Sequence, residues 1–274
     1  MEKYLIALDL DGTLLADWQT ISEPTKEYLK SLTALGHKLV IATGRPFRSS
    51  KRFYKELELD TPLLNYNAGL ITNPSDPTFE TFSVTMNREL IIDLFNNNSH
   101  LIKNAFGEVL DDIYLRYDTE DIRPLLHYFE GGKLTIGNFE DILHDDPNGF
   151  LIVCHNGQAD KLEEYIKTHY DGQLLARNWG EFYNFVIELY TPQTDKGIGL
   201  KYVAEHLGFD REHVIAFGDA HNDIDMLKYA GLGVAMINAQ DRLKIHADDI
   251  TEYSNTEDGL VHYLTKFFAN KSNQ

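Results

Sequence analysis

Ala7-Leu8-Asp9-Leu10-Asp11-Gly12-Thr13-Leu14-Leu15 sets two carboxylates two residues apart where an apolar run ends. The preceding Tyr4-Leu5-Ile6-Ala7-Leu8 predicts a buried strand, and its period of two carries Asp9 and Asp11 off the C-terminal end on the same side. Gly12 permits a sharp turn directly after them. Taken alone, such a stretch is an ordinary acidic loop, because Asp and Gly are common turn residues. Its meaning depends on what surrounds it.

Moving outward, Ser22-Glu23-Pro24 opens a helical pattern through Leu29, Leu32 and Leu35 that Gly36 stops. Lys38-Leu39-Val40-Ile41-Ala42 is a continuous apolar strand that delivers Thr43 at its end. Pro46 begins another helix ending near Leu57, and Pro62 to Asn67 reads as a third strand. This alternation implies a parallel α/β sheet. Right-handed crossovers gather the strand C-termini on one edge, where open α/β sheets bind ligands. Near the other terminus, Asp195 to His206 is helical with a stop at Gly208, and Val214-Ile215-Ala216-Phe217 presents Gly218-Asp219 as a fourth strand of the same sheet.

Between these halves the alternation restarts. Strands are predicted at Leu101–Phe106, Ile113–Tyr117, Phe150–His155 and Phe185–Leu189, with helices at Arg88–Asn98, Thr119–Phe129 and Ala159–His169. Turn-rich Thr72 to Pro77 and Thr191-Pro192-Gln193-Thr194 flank the region as candidate hinges. The expectation is two domains: a core of residues 1–81 and 190–274, and an inserted α/β domain of residues 82–189. No internal repeat or low-complexity segment interrupts this pattern, and Asn270 to Gln274 reads as a frayed tail.

The 274 residues, 43% hydrophobic, suffice for a substantial core. Early charges at Glu2, Lys3, Asp9 and Asp11 and the lack of a spanning-length apolar run lead us to expect a soluble, cytoplasmic protein. The single Cys154 rules out an intrachain disulfide and reads as a small buried hydrophobe. A net charge of −18 gives no global attraction to nucleic acid or to an anionic membrane, so neither is expected as a partner. Screening over about 8 Å leaves local cations in control of any anionic ligand. Lys196, Arg45 and a divalent metal are the candidates, each worth a few kcal/mol at about 4 Å.

Three further signals fall at the ends of apolar runs in fixed order: Thr43-Gly44-Arg45, Lys196-Gly197, and Gly218-Asp219-Ala220-His221-Asn222-Asp223. With Asp9-x-Asp11-Gly12 they make the chain resemble the haloacid dehalogenase-like (HAD) superfamily, in particular its Cof-type, subfamily IIB sugar-phosphatase branch. The resemblance spans nearly the whole chain. It implies a Rossmann-like doubly wound parallel core with an inserted C2-type cap, and a magnesium-dependent phosphatase of small soluble phosphomonoesters. Sugar phosphates come first, then nucleotide or cofactor phosphates.

The same resemblance implies the roles. Asp9 is the nucleophile that forms an aspartyl phosphate. Asp11 protonates the leaving group and later deprotonates water. A cation that keeps Asp9 ionised lets its neighbour Asp11 hold a proton, so two identical residues divide the work. Thr43 and Gly44 receive the phosphoryl group, and Arg45 either contacts substrate or merely pairs with a surface acid. Lys196 balances Asp9 and the phosphoryl oxygens; a lysine at a positive helix N-terminus calls for an anion beside it. Asp219 joins Asp9 and the Asp11 main-chain carbonyl as a direct metal ligand, with Asp223 a water-mediated or supporting one, and their hard oxygens favour Mg2+. Asn222 is a phosphate or lysine partner, while His221 is a surface or packing residue.

Two departures bear on the loops. Asn67-Ala68-Gly69 stands where the family often has Asn-Gly-Ala, and Ile237 stands where Gly is common. Neither removes a catalytic group. In the cap, Arg116, His155, Asn178, Trp179, Tyr183 and Glu188 are no more than lining candidates, and none is named as a site residue. Two alternatives remain open: a phosphomutase or phosphotransferase returning the aspartyl phosphate to a sugar, and a non-catalytic phosphometabolite sensor.

Overall fold

The computed structural model describes residues 2–127, 131–180 and 183–272. The chain divides into two compact units, one of Met1–Arg45, Ser50–Phe82 and Asp195–Gln274, the other of Pro46–Ser49 and Ser83–Thr194.

In the first stretch, β1 (Leu5–Leu8) leads through a wide turn to α1 (Glu23–Ala34), then β2 (Lys38–Ile41), α2 (Phe47–Glu56), β3 (Leu63–Asn65) and β4 (Leu70–Thr72). Ser22 caps α1 by accepting the Thr25 N–H at 3.2 Å, with Pro24 in the first turn, and Gly36 at φ 91° releases the chain. The strand expected over Pro62 to Asn67 is shorter than read. Only Leu63–Asn65 is extended; it pairs antiparallel with β4 and meets the main sheet through one parallel bridge, Ala42 to Leu64. The remainder, Tyr66–Ala68, is a tight turn.

The second unit runs from β5 (Phe82–Ser83), at its boundary, through α3 (Arg88–Asn98), β6 (Ile102–Val109), β7 (Asp112–Leu115), β8 (Leu134–Ile136), α4 (Phe139–Ile142), β9 (Gly149–Cys154), α5 (Ala159–His169), β10 (Leu175–Asn178) and β11 (Val186–Tyr190). Its six-stranded sheet has the order β10-β11-β9-β6-β7-β8. All its pairings are antiparallel except β7 with β8. Ile91, Leu94, Leu162 and Ile166 from α3 and α5 pack with Ala105, Ile152 and Cys154 of the sheet, which buries the lone thiol. The helix predicted over Thr119–Phe129 is not formed as such: the described part contains only a 3-10 turn at Arg123–Leu125, and Phe129 lies outside the described residues. Pro124 lacks an N–H and disfavours α geometry at Arg123, whose guanidinium instead closes back on Asp118 at 2.7 and 2.9 Å.

The last stretch returns to the first unit: α6 (Lys196–Leu207), β12 (Val214–Gly218), α7 (Ile224–Tyr229), β13 (Leu232–Ala235), α8 (Asp241–Lys244), β14 (Asp249–Ile250) and α9 (Gly259–Ser272). The five-stranded sheet β14-β13-β12-β1-β2 is parallel throughout. Its central strands are continuous apolar runs: Leu5 to Leu8 are fully buried, as parallel strands covered on both faces must be. Parallel register brings Asp9 after β1, Thr43 after β2 and Asp219 after β12 to one edge. No helix among the described residues is long and apolar enough to cross a membrane.

Candidate active site

The acidic turn after β1 is one wide loop, extended at Asp11, rather than a continued strand. Leu14 N–H donates to Asp9 O at 3.2 Å and Leu15 N–H to Leu10 O at 2.9 Å, with Gly12 at φ 77°. Two side chains pin it from later in the chain, Asn238 Nδ2 to Gly12 O at 2.8 Å and Asn255 Nδ2 to Leu15 O at 2.7 Å. Gly12 is required on a second count. A Cβ there would lie 2.4 Å from Asp219 Oδ2, so a larger residue would displace the Asp219 carboxylate.

Lys196 is the first residue of α6, whose N-cap Asp195 accepts the Gly197 and Ile198 N–H groups at 2.6 and 3.0 Å. Its buried ammonium donates to Asp9 Oδ1 and to Asp223 Oδ1, both at 2.6 Å. Burial alone would lower its pKa, but Asp223 and then Asp9 outweigh that and hold it charged. Asp223 is itself fixed, its Oδ2 accepting the Asp219 and Ala220 N–H groups at 3.0 Å each. Sequence reasoning paired Lys196 with Asp9 and the phosphoryl oxygens; the structure adds Asp223 as a second carboxylate partner.

Asp9, Asp219 and Asp223 each offer a ligand oxygen, all within 4.8 Å of one another. Burial first, then Asp223, pushes the Asp9 carboxyl up to about 7 against the pull of Lys196. Burial and then Asp9 push Asp219 to about 9. Once all three are ionised, three carboxylates against one ammonium leave two negative charges unbalanced. An all-oxygen donor set with that deficit fits a hard divalent cation.

The other expected residues surround this cluster. Thr43 is buried; its N–H donates to Leu64 O at 3.0 Å and its Oγ1 accepts the Arg45 N–H at 3.1 Å. Gly44 is exposed at the turn. Arg45 grips the Asp11 carboxylate with both arms, Nε to Oδ2 at 2.8 Å and Nη2 to Oδ1 at 2.5 Å, and Nη2 also donates to Trp18 O at 2.6 Å. The acid that Arg45 pairs with is one of the site itself, Asp11, rather than a surface acid. Asp11 is not one of the three carboxylates that lie within 4.8 Å of one another, although its charge still raises the pKa of Asp9 and Asp219. Asn222 Nδ2 donates to Asn67 Oδ1 at 2.9 Å and not to any Lys196 atom. His221 sits outside the cluster, hydrogen-bonded with Arg242 at 2.9 Å. Ala68 takes φ 72°, a conformation that glycine adopts without steric cost.

Comparison with known proteins decides the family: the model for haloacid dehalogenase-like hydrolases matches residues 6–264. The chain belongs to the haloacid dehalogenase-like hydrolases. It is 34% identical over 267 residues to 5-amino-6-(5-phospho-D-ribitylamino)uracil phosphatase YitU of Bacillus subtilis, covering 97% of this chain and 98% of that protein. The similarly named YcsE of the same organism is 32% identical over 261 residues, covering 94% and 92%. A haloacid dehalogenase-like hydrolase of Bacteroides thetaiotaomicron superposes with a TM-score of 0.83 at 29% identity, over 97% of this chain and all of that one. At 21% identity, a HAD subclass IIB sugar phosphatase shares the fold with a TM-score of 0.77, over 97% of this chain and 99% of that one. This HAD chain is a phosphatase enzyme with a parallel-sheet core and an additional sheet domain.

Sequence reasoning missed the residues that hold this HAD site in shape: Asn67, Asn238 and Asn255, and the Trp18 carbonyl. Only Asn67 carried a signal, at the departure already noted in Asn67-Ala68-Gly69. Asn238 and Asn255 stand in turn-rich stretches where asparagine is unremarkable.

Proposed function

We propose that this enzyme is a magnesium-dependent phosphatase of small soluble phosphomonoesters that works through an aspartyl phosphate. The observation that carries the reading is the Lys196 ammonium, buried between Asp9 and Asp223 at 2.6 Å from each. Lys196 engages Oδ1 of Asp9, so Oδ2 is the oxygen that attacks phosphorus. The phosphorus–oxygen bond to the leaving group breaks as that bond forms, and Asp11 gives the departing oxygen its proton. Because Arg45 holds both oxygens of Asp11, the guanidinium must release one of them for Asp11 to carry a proton. Asp11 then takes a proton from the water that hydrolyses the acyl phosphate and regenerates Asp9. Thr43, the Gly44 backbone, Asn222 and Lys196 hold the phosphoryl oxygens in line. Asp9, Asp219, Asp223 and the Asp11 carbonyl would hold magnesium, which neutralises phosphoryl charge when bound.

The unit of Pro46–Ser49 and Ser83–Thr194 contributes none of these side chains, and we assign it as the inserted cap that selects substrate. Kinship with two phosphatases named for 5-amino-6-(5-phospho-D-ribitylamino)uracil supports a sugar- or polyol-phosphate substrate and makes that compound the first to test. The experiment is phosphate release from that compound, pentose and hexose phosphates and nucleotides, with magnesium or EDTA, for wild type and Asp9→Asn. Magnesium-dependent release that Asp9→Asn abolishes is expected. Equal release by both proteins would refute the nucleophile, and release only with a bisphosphorylated activator would favour a mutase.

A further inference from the structure

Three consecutive residues bearing a Cβ, Tyr66, Asn67 and Ala68, have φ of 51°, 53° and 72°. The left-handed region is uncommon for one such residue and more so for a run; asparagine tolerates it, whereas tyrosine and alanine gain nothing from it. Backbone of this kind persists only where its surroundings over-determine it, and such places cluster at functional sites. Here the surroundings are explicit. Asn67 N–H donates to Thr43 O at 3.0 Å, Tyr66 N–H to Arg45 O at 3.3 Å and Gly69 N–H to Tyr66 O at 2.9 Å. Asn65 Nδ2 donates to Arg45 O at 2.9 Å and to Ser50 Oγ at 2.7 Å. On its other side the Ala68 methyl packs against α6 at Gly199, where any Cβ would come within 2.3 Å.

What this turn presents is the Asn67 carboxamide, 2% exposed, with Oδ1 accepting from Asn222 Nδ2 at 2.9 Å. The same amide lies 3.4 Å from where a Gly44 Cβ would stand, so the Thr43-Gly44 loop also closes on it. One side chain thus touches both loops that the reading above assigns to the phosphoryl group, on a turn braced against the helix that begins with Lys196. An amide oxygen can only accept and an amide nitrogen only donate, so the bond sets which way the Asn222 carboxamide faces. One Nδ2 hydrogen of Asn222 is spent on Asn67 and the other remains for a phosphoryl oxygen.

We propose that Asn67 is a positioning residue, which orients Asn222 and fixes its spacing from the Thr43-Gly44 loop for phosphoryl binding. The proposal rests on the phosphatase reading, and its test separates the two. Asn67→Gly keeps the left-handed backbone at no steric cost and removes the whole carboxamide, the acceptor for Asn222 with it. Affinity for inorganic phosphate, measured by calorimetry with magnesium present, is expected to fall by about 10- to 100-fold, and KM for p-nitrophenyl phosphate to rise by a similar factor with kcat much less affected. In an Asn222→Ala background, Asn67→Gly is expected to add nothing, since the two residues act as one unit. A structural role independent of Asn222 would instead be additive.

Unchanged phosphate affinity in Asn67→Gly, or full additivity with Asn222→Ala, would overturn the proposal. If wild type released no phosphate from any ester but its phosphate affinity still fell in Asn67→Gly, the positioning role would stand and the phosphatase reading would fall. Should Asn67→Gly not fold, the side-chain amide NMR signal of Asn222 in wild type, assigned by its loss in Asn222→Ala, reads the same bond. Slowed solvent exchange and a shift on adding phosphate are expected, and an unprotected, phosphate-insensitive signal would refute it.

Discussion

Replacing Lys196 by methionine keeps the length and apolar stem of the side chain and deletes the charge between Asp9 and Asp223. Each pair is 2.6 Å from nitrogen to oxygen, which at an effective dielectric constant of about 20 corresponds to about 6 kcal/mol of attraction. Most of that gross figure is offset by the cost of taking three ions out of water. Removing one partner leaves the desolvation in place and forfeits the attraction, and for buried pairs this costs about 3–5 kcal/mol. We expect Lys196→Met to lose that much in urea denaturation at neutral pH in EDTA. Magnesium should restore part of the loss by supplying positive charge, and Lys196→Met combined with Asp223→Asn should recover part of it because the orphaned carboxylate is gone. Phosphate release should fall by about 10²–10³-fold, as when one donor to a developing charge is removed. A loss below about 1 kcal/mol, the range of an exposed ion pair, would refute the claim that this lysine is a buried counter-charge.

The metal-free protein should become more stable as pH is lowered. Asp9 and Asp219 are held protonated up to about 7 and about 9 against 3.8 unfolded, so the folded state binds more protons in between and stability is lost as pH rises through those values. Urea titrations in EDTA from mildly alkaline to mildly acid pH test this, and a profile rising with pH would contradict it. Cys154, buried and with its thiol pushed up to about 12, chiefly by burial, should resist alkylation at neutral pH until urea unfolds the chain; rapid labelling of the native protein would show otherwise. Gly199→Val should cost about 1–3 kcal/mol by overpacking, because its Cβ would fall 2.3 Å from Ala68 Cβ and 2.8 Å from Leu64 Cδ2. Thermal melts check this, and an unchanged melting temperature would mean the turn yields without cost.

The elements that carry the motifs were legible because their signals are local. The apolar run before Asp9, the cap at Ser22, and the stops at Gly36 and Gly208 each fix a strand end or a helix boundary within a few residues. Parallel pairing follows from alternation, and with it the gathering of Asp9, Thr43 and Asp219 at one edge. Where a local signal was overridden, the cause lay elsewhere in the chain. The strand read through Asn67 stops at Asn65 because Thr43, Arg45 and Gly199 claim the next three residues for a turn.

By itself the sequence determined the fold class, the order of the motifs and which residue types reach the site. Which side chain meets which was decided only by tertiary structure. Lys196 finds Asp9 187 positions away, Asn222 finds Asn67 across 155, and Arg45 takes Asp11 across 34. Periodicity states the face on which a residue emerges. It does not encode a hydrogen bond between two loops, whose geometry depends on the sheet that brings them together and on the glycines, Gly12 above all, that leave room for the approach.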